Sequence, residues 1–189
     1  MGIMDMVNKA KANMKEGSDG DFLLKDQQGK LLIHGFTFFE TDKGKWASVK
    51  GEILEVAGKT STSVTQPVGT RVKCIFKCHG DYPLIGYEGV LKAVKAIYDP
   101  TDDNELKDAM VACFGSDESG LTKKATKEDR AHPLFAARGV IVGFSTKNSK
   151  GSDKRVAAGK DPITEIQFMH IPQEVEAITA RAAKLPEVT

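Results

Sequence analysis

The sequence predicts a mainly β domain with helical insertions, an α+β chain. Three observations carry that prediction. Residues 70–78 alternate apolar and polar side chains with period two; two further strand-like runs precede them, split by a four-residue turn; and residues 87–98 switch to helical spacing.

Residues 30–40 form an apolar, aromatic run that reads as a buried strand. The turn Thr41-Asp42-Lys43-Gly44 follows, then a second strand over 45–57. There Ala47, Val49 and Ile53 alternate with Trp46, Ser48, Lys50 and Glu52, and Gly51 in mid-strand points to a bulge or bend. After a polar loop, the third strand sets Val72, Cys74, Phe76 and Cys78 on one side and Arg71, Lys73, Ile75 and Lys77 on the other.

From 87 to 98, Tyr87, Val90, Leu91, Val94, Ile97 and Tyr98 share a helical face. Asp99-Pro100-Thr101 breaks that helix, and a second is expected over 102–114. A charged connector, 115–130, leads to a fourth strand at 137–145; a long polar stretch, 146–161, separates it from a fifth at 163–171. Ile3, Met6, Val7, Ala10 and Met14 fall at helical spacing near the start, and 173–184 is a good helix former after Pro172. The expected organisation is an N-terminal amphipathic helix or arm (1–20), a central domain (21–172, helical insertion about 84–130), and a C-terminal helix and tail (173–189). Five strands with helix between the third and fourth match the plan of an OB-like barrel, small and partly open, here with terminal helices.

At 189 residues the chain can bury a core without disulfides or metal. Its 27 basic and 26 acidic side chains leave a net charge of +1, which argues against binding by bulk charge but allows a local basic groove. Three cysteines, Cys74, Cys78 and Cys113, fit no disulfide framework, so a reducing cytoplasm is expected. The first 14 residues lack the continuous apolar stretch of a signal peptide, and no membrane span is expected.

The strongest candidate site is the polar face of strands two and three. Paired as a hairpin, they would bring Trp46, Ser48 and Lys50 alongside Arg71, Lys73, Ile75 and Lys77. Cations beside an indole attract phosphates and offer a surface on which bases stack; the plain alternative is a solvated β face. A second candidate is the connection between strands four and five, where Lys147, Lys150, Lys154, Arg155 and Lys160 outnumber Asp153 and Asp161. A basic arm of this kind releases counterions on contact with nucleic acid, while its bland reading is a solubilising loop.

Chemistry is not expected. Cys74 and Cys78 lie roughly 13 Å apart if both sit on one strand, too far to share a zinc ion. His34, His79, His132 and His170 are scattered, and no phosphate-binding glycine loop is present. The sequence therefore predicts no catalytic residues, no metal and no cofactor.

From about residue 22 to 172 the layout resembles phage-encoded single-stranded DNA-binding proteins of OB type. The resemblance lies in Pro67-Val68-Gly69-Thr70-Arg71-Val72 leading into the third strand, and in Arg138-Gly139-Val140, Thr146, Gly159-Lys160 and Thr164 of the final hairpin. It implies sequence-nonspecific coating of single strands of DNA, with RNA also open, during replication or recombination in the host cytoplasm, as a homo-oligomer through the terminal helices. Bacterial-type binding proteins usually end in an acidic tail that recruits partners, whereas this sequence ends Lys184 to Thr189, which puts that route of recruitment in doubt. The competing expectation is a non-enzymatic structural or protein-interaction module, such as a virion component or an inhibitor.

Overall fold

The computed structural model describes residues 20–81, 83–114, 138–148, 151–160 and 164–185. The expected N-terminal helix, the 115–130 connector and Lys150 lie outside them.

The chain runs β1 (Asp21–Phe22), β2 (Gln27–Thr41), β3 (Gly44–Gly58), β4 (Arg71–Lys77), α1 (Pro83–Tyr98), α2 (Asp103–Phe114), β5 (Ile141–Asn148), α3 (Ser152–Ala157), β6 (Thr164–Met169) and α4 (Val175–Ala182). The strands form one six-stranded sheet in the order β1-β4-β3-β2-β5-β6, antiparallel throughout except for the parallel pairing of β1 with β4.

The sheet has six strands and is open, where the sequence predicted a five-stranded, partly open OB-like barrel. Closure would require β4 to pair with β6. At Val72 and Lys73 the free edge of β4 is instead taken by β1. Further along, Phe76 of β4 and Phe168 of β6 approach ring to ring with centroids 6.4 Å apart, and α1 packs against both strands. Side chains and a helix thus bridge the gap that a hydrogen-bonded ladder would close.

Helical period explains how α1 does this. Val90, Ala93, Val94 and Ile97 are buried at i, i+3, i+4 and i+7 against the sheet. Two glycines one turn apart let the helix sit directly on β4. A Cβ at Gly86 would fall 1.9 Å from the carbonyl oxygen of Lys77, and one at Gly89 would fall 2.4 Å from the Phe76 ring. The inner face of β3 and β4 supplies Ala47, Val49, Ile53, Val72, Cys74 and Phe76 to the same core.

Gly51 marks the expected irregularity, but the extra residue lies opposite it: the β2–β3 register skips His34 between Ile33 and Gly35, and shifts again between Lys30 and Leu31. Three other boundaries differ from the sequence reading. The strand expected at 137–145 is β5, shifted to Ile141–Asn148, and α1 begins at Pro83 rather than 87. The polar stretch expected as a loop contains the short helix α3.

A buried polar cluster ties β1, β2 and β5 together. The Thr146 hydroxyl donates to the Leu24 carbonyl (2.6 Å) and accepts from the Gln27 N–H (3.2 Å). The Gln27 amide donates to Gln66 Oε1 (2.8 Å), the Gln66 N–H returns a bond to Gln27 Oε1 (3.1 Å), and Gln66 Nε2 donates to the Phe22 carbonyl (3.1 Å). Gln27 and Thr146 are fully buried, so losing one partner leaves another desolvated. Thr146→Val keeps the shape and removes the hydroxyl. It is expected to lower unfolding free energy by about 1–3 kcal/mol, read by urea denaturation. Lys30→Met, which removes the exposed 2.7 Å pair with Glu55, should change it by less than about 1 kcal/mol.

Candidate functional site

The β3–β4 register places Trp46 opposite Lys77, Ser48 opposite Ile75, Lys50 opposite Lys73 and Glu52 opposite Arg71. Burial along β4 alternates strictly, with Val72, Cys74 and Phe76 inside. The sequence-predicted cluster therefore shares one face of the sheet, opposite the face on which α1 packs; on it Ser48 is buried and Trp46, Lys50, Lys73 and Ile75 are half-buried.

Its charge is uneven along the strands. Arg71 faces Glu52, whose carboxylate also lies 3.7 Å from His34 Nε2. Lys50 and Lys73 sit opposite each other in the register. Lys73 and Lys77 are separated by roughly 13 Å of strand rise, and in the β3–β4 register neither has an acidic residue opposite it.

Two aromatic rings stand along this row. Trp46 is half-buried: its indole Nε1–H donates to Thr41 Oγ1 (3.1 Å) and its ring meets His79 at 4.7 Å in an edge arrangement. The second ring is Phe22, which the sequence reading missed. Parallel pairing sets Phe22 beside Lys73, with the Lys73 ammonium 5.0 Å from the ring centroid and the ring 59% exposed. A two-residue strand has no period to detect. The available signal was an exposed-type aromatic next to Asp21 just before the first long strand.

The second sequence-predicted cluster is not brought onto β3 and β4. Lys147 lies at the end of β5, 3.7 Å from Glu165 of β6. Lys154 and Arg155 belong to α3, and Lys160 follows it after Gly159. In the strand order β5 is separated from β3 by β2.

Among the described residues no group of three or more His, Cys, Asp and Glu could hold a metal ion. Cys74 and Cys78 are buried free thiols. Burial pushes the Cys78 thiol up to about 11 and raises Cys74 further, so neither is a thiolate at neutral pH. Among the described residues no helix is long and apolar enough to cross a membrane.

Comparison with protein-family models, with curated proteins and with solved structures returned no match.

His34 supplies a pH test of the face's structural base. Burial holds its pKa below the ordinary 6.5, against the opposing pull of Glu52; Arg71 and Arg138 lower it further. The unfolded chain therefore takes up this proton before the folded one does. Stability from this group is full above about pH 6.5 and is lost as pH falls through the lower folded value. Denaturation midpoints should decline between pH 7 and pH 5 more steeply for the wild type than for His34→Gln; parallel declines would remove His34 as the cause.

Proposed function

We propose that the outer face of β3 and β4, extended by Phe22 of β1, binds single-stranded nucleic acid without sequence preference, on an OB-like scaffold that is left open. The carrying observation is the row itself: Lys50 set directly against Lys73, with Lys77 further along the same face beyond Ile75, flanked by Phe22 and Trp46. Lysine ammoniums gathered on one sheet face attract a phosphate backbone. Aromatic rings beside phosphate-binding cations suit unpaired bases, whose π faces a duplex would hide. The five long strands with α1 and α2 between the third and fourth of them support the scaffold reading. Single-strand coating in replication or recombination, in a phage-infected cell, follows from the same reading. Lys154, Arg155 and Lys160 would then contact the strand outside the central face, from the β5–β6 connection.

A protein-interaction role is favoured by one separate observation. Leu84 and Ile85, adjacent in the first turn of α1, are 72% and 69% exposed. Binding of oligonucleotide separates the two readings.

Titration with oligo-dT at low salt should quench the fluorescence of the single tryptophan and retard the oligonucleotide in a gel. Lys73→Glu with Lys77→Glu should leave the protein folded, weaken binding, and flatten the slope of log K against log salt by about 1.4, the share of two phosphates on a single strand. Phe22→Ala should cost about 1–3 kcal/mol of affinity. Unchanged affinity in the folded double variant would refute this face as the site; an inert wild type would refute the function.

A further inference from the structure

Trp46 does not stand loose on the sheet. It follows the β2–β3 turn, and two side chains, Thr41 and His79, hold its indole. Thr41 Oγ1 accepts the indole N–H at 3.1 Å and also accepts the Lys43 N–H at 3.2 Å, so the acceptor is itself fixed by the turn. On the other side His79 meets the indole at 4.7 Å with the rings inclined by 74°. His79 comes directly after the last backbone bond between the two strands, in which the Cys78 N–H donates to the Lys45 carbonyl at 3.0 Å. Its imidazole lies over Gly44. A Cβ there would stand 2.4 Å from His79 Cγ and 2.5 Å from His79 Cβ, so only glycine leaves room for the ring.

The imidazole makes poor sense as filler. Its Nε2 is buried and has no hydrogen-bond partner among the described residues, a cost an apolar ring of the same shape would avoid. What the arrangement does supply is a fixed rotamer for the indole, gripped at its N–H and at its ring.

We propose that Thr41, Gly44 and His79 form a clamp that presets Trp46 for base stacking, with Thr41 and His79 as positioning residues that need not touch the nucleic acid. This rests on the single-strand reading of the face. Its physical basis is that ordering a side chain before binding removes an entropy loss otherwise taken at the moment of binding.

Two measurements test it. In the free protein, His79→Ala and Thr41→Val should each lower the steady-state fluorescence anisotropy of Trp46 at unchanged global melting temperature. Affinity for oligo-dT should fall roughly 3- to 10-fold, the range for ordering one side chain on binding. In a Trp46→Ala background, His79→Ala should then produce no further loss, which a general structural role for His79 would not predict. Should His79→Ala fail to fold, Thr41→Val, which alters an exposed hydroxyl on the turn, carries the same readings. Wild-type binding with unaltered affinity in a variant whose indole has loosened would overturn the clamp alone. No binding by the wild type would overturn both the clamp and the reading of the face.

Discussion

The pairing register of β3 with β4 is the constraint on which the rest of the molecule depends. With Val49 opposite Cys74 and Ala47 opposite Phe76, the apolar set of both strands points to the core, and Trp46, Lys50, Lys73 and Lys77 point away from it. A slip of one residue would bury the lysines of one strand and expose its core residues. Both ends of the pairing are tied: the Ile53 N–H donates to the Thr70 carbonyl at one end, and the Cys78 N–H to the Lys45 carbonyl at the other. α1 fills the inner side through Val90, Ala93, Val94 and Ile97, on the face opposite these polar side chains. Core formation and the display of a basic surface are thus one event.

The open sheet follows from how the free edge of β4 is used. That edge could have met β6. It is occupied instead by β1, which the Gln66 and Thr146 hydrogen bonds anchor on its far side. The same bonds bring Phe22 over Lys73. A closed barrel would have gained a ladder of backbone bonds and lost this aromatic position. Beyond β1, the Phe76–Phe168 contact and α1 cover the gap with apolar surface rather than with backbone bonds.

Local periodicity made much of this legible in advance. The alternation of β4 and the helical face of α1 were visible because each residue's environment there is decided by its own element's period. Features resting on distant partners were not visible. β1 is two residues long and exists only because β4 offers an edge. α3 is six polar-rich residues begun at Gly151 in a left-handed conformation, and its composition reads as loop. The failure to close is decided by competition for one edge, which no single segment encodes. The residues behind the family resemblance divide in the same way. Gly139 stands where α4 approaches, with the Ile178 carbonyl oxygen 2.7 Å from the position a Cβ would take, and Thr146 sits in the buried polar cluster. Both are explained by packing. At the candidate site, strand pairing alone brings Trp46, Lys50, Arg71, Lys73 and Lys77 onto one face, whereas the position of Glu52 opposite Arg71 required the register.

In the proposed function, bases lie along the row from Phe22 to Trp46. Photocrosslinking tests it most directly: an oligonucleotide carrying 5-iododeoxyuridine is irradiated in the complex, and the attached peptides are identified by mass spectrometry. Adducts are expected at Phe22 and Trp46, suppressed by competing single strands and not by duplex. Adducts confined to α1 or to the α3 region, with both rings unmodified, would contradict it.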